Sequence, residues 1–487
     1  MGAGDGALKR RVDWTLVALL LLAALLRFPG LAVQSLWFDE ALSGLIGQLP
    51  GVQVLTNAAG SSHPPAYYFL LHLLRPLGSS EFALRFPSAW CSLAAVAAVA
   101  RVGGELFDRR VARGAALGMA IAPFQVYYAQ EARMYSLAIL LCAGVMWAFW
   151  RALRGGRWWV WGAYAVLVAL GIHVHYFVAL VDAMLHIGLL LDWRRARRVI
   201  VPLLVADLLV AAAFVPQMAQ FRVEAGEFLG EARWRVLPSV LEPVRTPYYL
   251  LFGHVLPLWV VPVGLFLLLG LSAIGGRWLV KRRDRVGATL LLMVVGPLLV
   301  GLALSYLVMP VYVHRSFAVV TPALMVLLAR AVWIVPGRSP TFYLWIGLVI
   351  LMAWGAVRVH VWDDPAKPPV REAIAWVQSQ RQAGDMILHV QDASYVPALY
   401  YAPGAAGDLV DAGQRLWLAP QAYNLFGGRV TAVEDLPAGG RVWLITMPGY
   451  MDEEQRAFVG SWYGGCEESL VWDRGAVRAA LCEGGRP

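Results

Sequence analysis

Asp39 and Glu40 stand side by side just after the first long apolar run, within Gln34-Ser35-Leu36-Trp37-Phe38-Asp39-Glu40. Carboxylates held at the edge of hydrocarbon are costly and usually functional. A carboxylate so placed can take a proton from a hydroxyl, the task of a general base. Further along, His63 opens His63-Pro64-Pro65, and Arg85 closes Glu81-Phe82-Ala83-Leu84-Arg85. Gln130-Glu131-Ala132-Arg133-Met134-Tyr135 and Tyr312-Val313-His314-Arg315 both lie at turns between apolar runs. Each feature has a plain structural alternative. The acid pair can cap an interfacial helix whose buried face is Leu42, Leu45, Ile46 and Leu49. His63-Pro64-Pro65 can be only a helix start, Glu131 and Arg133 a local ion pair, and Arg315 a side chain reaching for headgroups. Asp182 and Asp207, inside apolar runs, either hydrogen-bond between helices or mark a buried pathway. His173 and His175 read as satisfied polar residues rather than ligands.

The elements that must position these residues are membrane spans. The chain has 487 residues, 59% hydrophobic and 15% charged, with mean hydropathy +0.59. That charge content is well below the roughly 25% of soluble domains. Repeated apolar runs long enough to cross a bilayer make this a polytopic α-helical membrane protein. The net charge of +9 would suggest nucleic acid in a soluble chain. Here the arginines sit between apolar runs and read as topology signals, so no nucleic-acid partner is expected. The first run follows Lys9-Arg10-Arg11 and lacks a small-x-small site before Gln34, so it reads as an uncleaved span.

Spans are expected over 13–32, 86–107, 111–128, 133–151, 158–175, 176–192, 199–216, 251–275, 286–308, 315–335 and 341–360, about eleven in all. The outer loop 33–84 holds the one ambiguous piece, the helix after His63-Pro64-Pro65. At about 16 residues it rises roughly 24 Å, short for a crossing. If that helix lies in the interface, the basic loops at Arg109-Arg110, Arg151–Arg157, Arg194–Arg198, Lys281–Arg285 and Arg338 all fall on one side. The positive-inside rule then puts the N-terminus in the cytoplasm and the C-terminus outside the cell membrane. With this topology Asp39, Glu40, His63, Arg85, Glu131, Arg133, Tyr135 and Arg315 all converge on the outer face. A second outer loop, Gln217 to Tyr249, is expected to form short interfacial helices.

After Trp362 the composition turns polar, giving two expected domains, 1–362 in the membrane and 363–487 outside it. Helices are expected at Val370–Gln382, Ser394–Tyr401 and Asp452–Trp462, and strands at Met386–Val390, Val442–Thr446 and Val477–Cys482. Alternating helix and strand predicts a small exoplasmic C-terminal α/β domain. Cys466 and Cys482 lie in this tail and can pair on an oxidising face, whereas Cys91 and Cys142 lie in apolar runs. No cysteine or histidine spacing resembles a zinc module.

The ordered set Trp37-Phe38-Asp39-Glu40, His63-Pro64-Pro65-Ala66-Tyr67-Tyr68, Glu81-Phe82-Ala83-Leu84-Arg85, Gln130-Glu131-Ala132-Arg133-Met134-Tyr135 and His314-Arg315 resembles the GT-C glycosyltransferases. Within them it is most similar to the bacterial family 39-like enzymes, akin to protein O-mannosyltransferases and lipid A aminoarabinose transferases. The resemblance covers about residues 10–360 and fades in the tail. It implies a GT-C arrangement and a polyprenyl-phosphate-linked sugar as donor, used from the exoplasmic side. It also implies a lipid, glycan or protein acceptor. Asp39 matches the family's base and Glu40 its second acid. Glu131 and Arg133 match the polar turn between spans three and four, and Arg315 an arginine that meets the lipid phosphate. His63 stands where some relatives have lysine.

Phosphate leaves without a general acid, so one base suffices. Asp39 would deprotonate the acceptor hydroxyl as it attacks the anomeric carbon, and single displacement inverts that carbon. Cations placed where charge develops contribute most, and arginine's planar fork suits phosphate. Arg315 and Arg133 are the candidates, with Arg85 or His63 in support. Two adjacent acids can also hold a divalent metal, and the family is split on metals, so no metal ligand set is assigned. The rival class is a transporter or flippase, favoured by Asp182 and Asp207. Transporters, however, build midplane sites from repeats and broken helices, and no repeat is present. A membrane-anchored sensing protein would leave the outer acids and arginines without a task.

Overall fold

The computed structural model describes residues 12–56, 60–61, 63–155, 157–231, 237–336, 340–361, 367–413, 416–436 and 439–484, with backbone only over 223–231. The chain opens with α1 (Trp14–Arg27), α2 (Phe38–Gln48), α3 (Gly51–Leu55), α4 (Ala66–Leu74), α5 (Glu81–Leu106), α6 (Arg109–Ile121) and α7 (Pro123–Ala129). It continues with α8 (Tyr135–Leu153), α9 (Trp158–Val174), α10 (Val178–Leu190), α11 (Trp193–Glu231), α12 (Glu242–Phe252), α13 (Val261–Arg282) and α14 (Arg285–Leu307). A 3-10 segment (His314–Val320) runs into α15 (Thr321–Ile334), and α16 (Pro340–Val361) closes the helical part.

By length and composition, seven apolar stretches suit a bilayer crossing. Six are α5, α8, α13 (with the turn before it), α14, α15 (with its 3-10 entry) and α16; the seventh is the part of α11 up to Arg222. Shorter apolar helices, α1, α9 and α10, accompany them. The expected span 111–128 is split into α6 and α7. The break lies at Ala122-Pro123, where the proline has no N–H to continue the ladder. Arg27, fully buried, donates to the carbonyls of Met119 (2.7 Å) and Ala120 (2.8 Å) at the end of α6. A cation there also suits the negative end of the helix dipole. Helix starts follow the sequence: Asp13, Ser80, Asp108 and Asp284 each accept from a first-turn N–H of α1, α5, α6 and α14.

Two expectations are corrected. Of the loop expected over 217–249, the first part continues α11 through Pro216 to Glu231, 39 residues in all, and only the last part opens a short helix, α12. The residues beyond Pro216 are polar but good helix formers, so hydropathy ends before the helix does. The span expected at 251–275 begins only at Val261. Gly253 (φ +61°) ends α12, and Pro257 and Pro262 start the next elements. By contrast α4, the helix after His63-Pro64-Pro65, has nine residues, too short at about 14 Å to cross. It packs against α2, where Gly47 lets Leu71 come close.

The polar tail forms α17 (Val370–Gln380), β1 (Met386–His389), α18 (Asp392–Tyr401), β2 (Asp408–Asp411), α19 (Pro420–Leu425), β3 (Val430–Ala432), β4 (Arg441–Thr446), α20 (Glu453–Gly464), β5 (Glu467–Asp473) and β6 (Arg478–Glu483). The sheet order is β3-β2-β1-β4-β6-β5. The first four strands are parallel; β6 runs antiparallel to both β4 and β5. All six elements expected in the tail are present within one or two residues at either end. The strands not expected, β2, β3 and β5, are a four-residue piece, a three-residue piece and an exposed edge, none with an alternating apolar pattern. Cys466 and Cys482 form a disulfide that ties the start of β5 to β6. The boundary expected at 363 falls outside the described residues.

This domain is docked, not tethered. Its α18 packs on α2, and one apolar cluster runs from α2 and α5 into Val370, Ile374 and Tyr395. Polar contacts frame it: Leu36 N–H donates to Tyr401 Oη (2.7 Å), Ser35 Oγ to Glu372 Oε2 (2.6 Å), and Arg371 pairs with Glu81 (2.7 Å).

Candidate active site

The helix α2, wedged between the membrane helices and the tail, carries both acids in its first turn, where the helix dipole favours negative charge. A single step along the helix, about 100°, sends them apart. Asp39 Oδ2 lies 3.7 Å from Arg133 Nη2 and 3.8 Å from Arg315 Nη2. These are longer than hydrogen bonds, and this buried oxygen accepts none. Arg133 comes from the turn between α7 and α8 and also reaches Ser43 Oγ and the Asp39 carbonyl, both at 3.4 Å. Arg315 comes from the 3-10 segment and lies over the Trp37 ring, 6.0 Å from its centroid. That segment is braced by α12: Glu242 Oε2 is 3.0 Å from His314 Nε2, and Thr246 Oγ1 is 2.9 Å from His314 Nδ1. Three elements far apart in sequence thus present one carboxylate and two guanidinium groups to one another.

Glu40 does not stand beside Asp39 as a second acid. It is fully buried and points the other way, into a bidentate pair with Arg85 (Nε–Oε1 2.7 Å, Nη2–Oε2 2.8 Å). Arg85 also holds the carbonyls of Leu31, Gln34 and Ser35, which fixes the stretch leading into α2. Lys367 of the tail donates to Glu40 Oε2 (2.9 Å) and to the Gln130 carbonyl (3.1 Å). Its Nζ is 3.9 Å from Glu131 Oε1; among the described residues no well-formed hydrogen bond reaches either Glu131 oxygen, although the Tyr127 hydroxyl lowers this acid from nearby. Burial alone would raise the Glu40 carboxyl, but Lys367 and Arg85 hold it down to about 2. Burial raises Glu131, which Lys367 only partly offsets, and burial lowers Lys367. Two acids and two cations therefore balance in this network. Lys367 was not legible as a site residue: it sits in Lys367-Pro368-Pro369, which reads as a linker.

Tyr135 lies beside Arg315 and Arg133, and His175 packs between it and His63. The ring centroids are 6.0 Å apart for His63 and His175, and 6.1 Å for Tyr135 and His175. His175 is buried, and among the described residues its Nε2 has no partner. The two adjacent acids do not face one common site. Asp39 turns to the arginines and Glu40 to Arg85 and Lys367, so an ion between Glu40 and Glu131 would have to displace an ammonium group.

Away from this site, Asp182, His186 and Asp207 come within 4.8 Å of one another, the one such group among the described residues. Tyr164 donates to Asp182 Oδ1 (2.5 Å) and meets His186 Nε2 (2.9 Å). Tyr164 thus joins α9 to α10, while His186 Nε2 lies 3.7 Å from Asp207 Oδ1 of α11, longer than a hydrogen bond.

Residues 62–219 match the family model described as dolichyl-phosphate-mannose-protein mannosyltransferase. The aminoarabinose transferase ArnT from Cupriavidus metallidurans, bound to undecaprenyl phosphate, superposes over nearly the whole chain. The TM-score is 0.64 at 12% identity, covering 97% of this chain and 98% of that one. The chain has the GT-C fold. The same ArnT in the apo state gives 0.63 at 12% identity, over 96% and 97% of the two chains. The apo oligosaccharyltransferase from Archaeoglobus fulgidus gives 0.51 at 11% identity, over 81% of this chain and 64% of that one. No curated protein sequence is significantly similar. Because the GT-C match to ArnT spans both chains almost end to end, it takes in the docked tail as well as the membrane helices.

In the tail, Asp392 is buried at the start of α18, and burial pushes its carboxyl up to about 7. The unfolded value is about 3.9. A folded value above the unfolded one adds stability that is complete below about pH 4 and lost as pH rises through about 7. Asp392→Asn is therefore expected to flatten the decline in stability of the full chain between about pH 4 and 7. Thermal melting across that range checks it, and an unchanged slope in the variant would refute it.

Proposed function

We propose that the chain is a membrane glycosyltransferase. It moves a sugar from a polyprenyl-phosphate donor to an acceptor hydroxyl on the exoplasmic side, with the N-terminus cytoplasmic and the tail exoplasmic. The observation that carries this reading is Asp39: a carboxylate with one buried, unbonded oxygen, facing two arginines just beyond hydrogen-bond distance. Such loose pairs can be exchanged. When a lipid phosphate enters, Arg133 and Arg315 turn to it with charge-assisted hydrogen bonds, and Asp39 is left to take the acceptor proton. The same guanidinium groups then stabilise the phosphate as it leaves with its added charge. Glu40, Arg85, Lys367 and Glu131 hold α2 in place rather than touch substrate. The family match over residues 62–219, and a similar fold whose crystal structure holds undecaprenyl phosphate, support a lipid-phosphate donor.

The reading is tested on binding, before any sugar is known. Removing one guanidinium partner of a phosphate should cost about 1.5–3 kcal/mol, roughly 10- to 100-fold in affinity. Arg315→Ala is the informative variant, because Arg315 is half exposed and its loss should not unfold the chain. Undecaprenyl phosphate titrated into the purified protein in nanodiscs should show that loss. Equal affinity in wild type and variant would remove Arg315 from the donor site.

A further inference from the structure

The strand order of the tail reverses at one place. From β1 the chain steps to β2 and β3 on one side, then returns to place β4 on the other side of β1. In open parallel sheets the crevice beyond the carboxyl ends of two such strands is where ligands bind. Here that crevice is bounded by Gln391 and Asp392 after β1 and by Met447 after β4. Gln391 Oε1 accepts from Met447 N–H (3.0 Å) and so bridges the two strand ends. Its Nε2 has no acceptor although the residue is 3% exposed. Asp392 is 4% exposed; its Oδ2 accepts from Trp417 N–H (3.3 Å), and its Oδ1 has no donor. Among the described residues, the two strand ends thus carry one unused buried donor and one unused buried acceptor on neighbouring residues.

Beside them stands an indole with no cover. Trp417 is 55% exposed, and its ring meets Phe38 edge-on at 4.6 Å. Phe38 immediately precedes Asp39. The switch point of the tail is therefore linked, through Trp417 and Phe38, to the start of the helix that carries the candidate base.

We propose that this crevice is the acceptor subsite and that the acceptor presents a sugar ring. The inference rests on the glycosyltransferase reading and names the acceptor's class. A vicinal diol both donates and accepts, which suits Asp392 Oδ1 and Gln391 Nε2 taken together. The C–H face of a pyranose suits the negative face of an indole. A few convergent polar groups beside an aromatic wall are the usual make-up of a small-molecule site.

The test uses the full chain in nanodiscs, titrated with the methyl glycosides of glucose, galactose, mannose and N-acetylglucosamine. A blocked serine peptide is run as the protein-type acceptor, and saturation-transfer NMR with tryptophan fluorescence reads binding. At least one glycoside should saturate. Trp417→Ala and Asp392→Asn should each weaken it about tenfold or more, whereas Trp417→Phe, which keeps a ring face, should retain most of the affinity. Undecaprenyl phosphate binding, measured in parallel, should be unchanged in all three variants and reports that they are folded. Saturation by no glycoside, by the peptide alone, or equally by wild type and both weakening variants would overturn the proposal. Failure of wild type to bind undecaprenyl phosphate would instead overturn the donor reading, and the glycoside titration would still decide the saccharide site.

Discussion

Asp39→Asn should lower sugar transfer by roughly 10²–10⁴-fold, the range for loss of a positioned general base, while undecaprenyl phosphate still binds. Asparagine keeps the shape of the side chain and removes only its charge and its ability to take a proton. The two arginines lose the carboxylate they face, so phosphate should bind at least as tightly as in wild type. This split between transfer and binding separates a base from a mere binding residue, because loss of a phosphate contact would weaken both. Proteoliposomes supplied with a panel of polyprenyl-phosphate sugars and glycoside acceptors provide the assay. Undiminished transfer by the variant would sink the assignment. The stereochemistry of the product is a second check. A single displacement inverts the anomeric carbon, so a product that retains the donor's configuration would demand a covalent intermediate and a different role for Asp39.

The membrane part was readable because a bilayer leaves the chain few choices. Apolar runs of fixed length mark candidate spans, and the one-sided arginines give an expected sense that would put Asp39, Arg133 and Arg315 on one face; in the structure these three side chains do meet. Helix ends were less legible. Pro216 sits inside α11, and the apolar Leu250–Leu256 stretch is divided by Gly253 between two elements, because prolines and glycines outrank hydropathy at these points. The fate of Glu40 was not legible at all. Adjacent acids invite a shared task, but on a helix successive side chains point about 100° apart, and only the tertiary partners decide where each one goes. One of those partners, Lys367, is 327 residues away. The tail was partly legible: β1 and β4 are buried runs, whereas β2, β3 and β5 form only because neighbouring strands recruit them.

Lys367→Met should destabilise the full chain by about 3–5 kcal/mol, the cost of removing one partner from a buried ion pair. The reason lies in the charge count. With Lys367 present, Glu40 and Glu131 face Arg85 and one ammonium group in a site closed to water. Without it Arg85 still satisfies Glu40, but Glu131 is left buried without its ammonium partner, with only the Tyr127 hydroxyl and more distant arginines to offset its charge. It must then take up a proton or move, and either change loosens the turn that carries Arg133. Sugar transfer should therefore fall together with stability, although Lys367 touches no substrate. The double variant Lys367→Met with Glu131→Gln removes one charge of each sign and restores the balance. It should recover most of the lost stability, a coupling of about 1–3 kcal/mol between the two sites. Thermal and denaturant unfolding of the two single variants, the double variant and wild type in one detergent provide the cycle. A double variant no more stable than Lys367→Met alone would show that Lys367 acts only as a tether of the tail, with no part in neutralising Glu131. Recovery of both stability and transfer would make this lysine a built-in cation through which the docked domain holds the membrane site in its working shape.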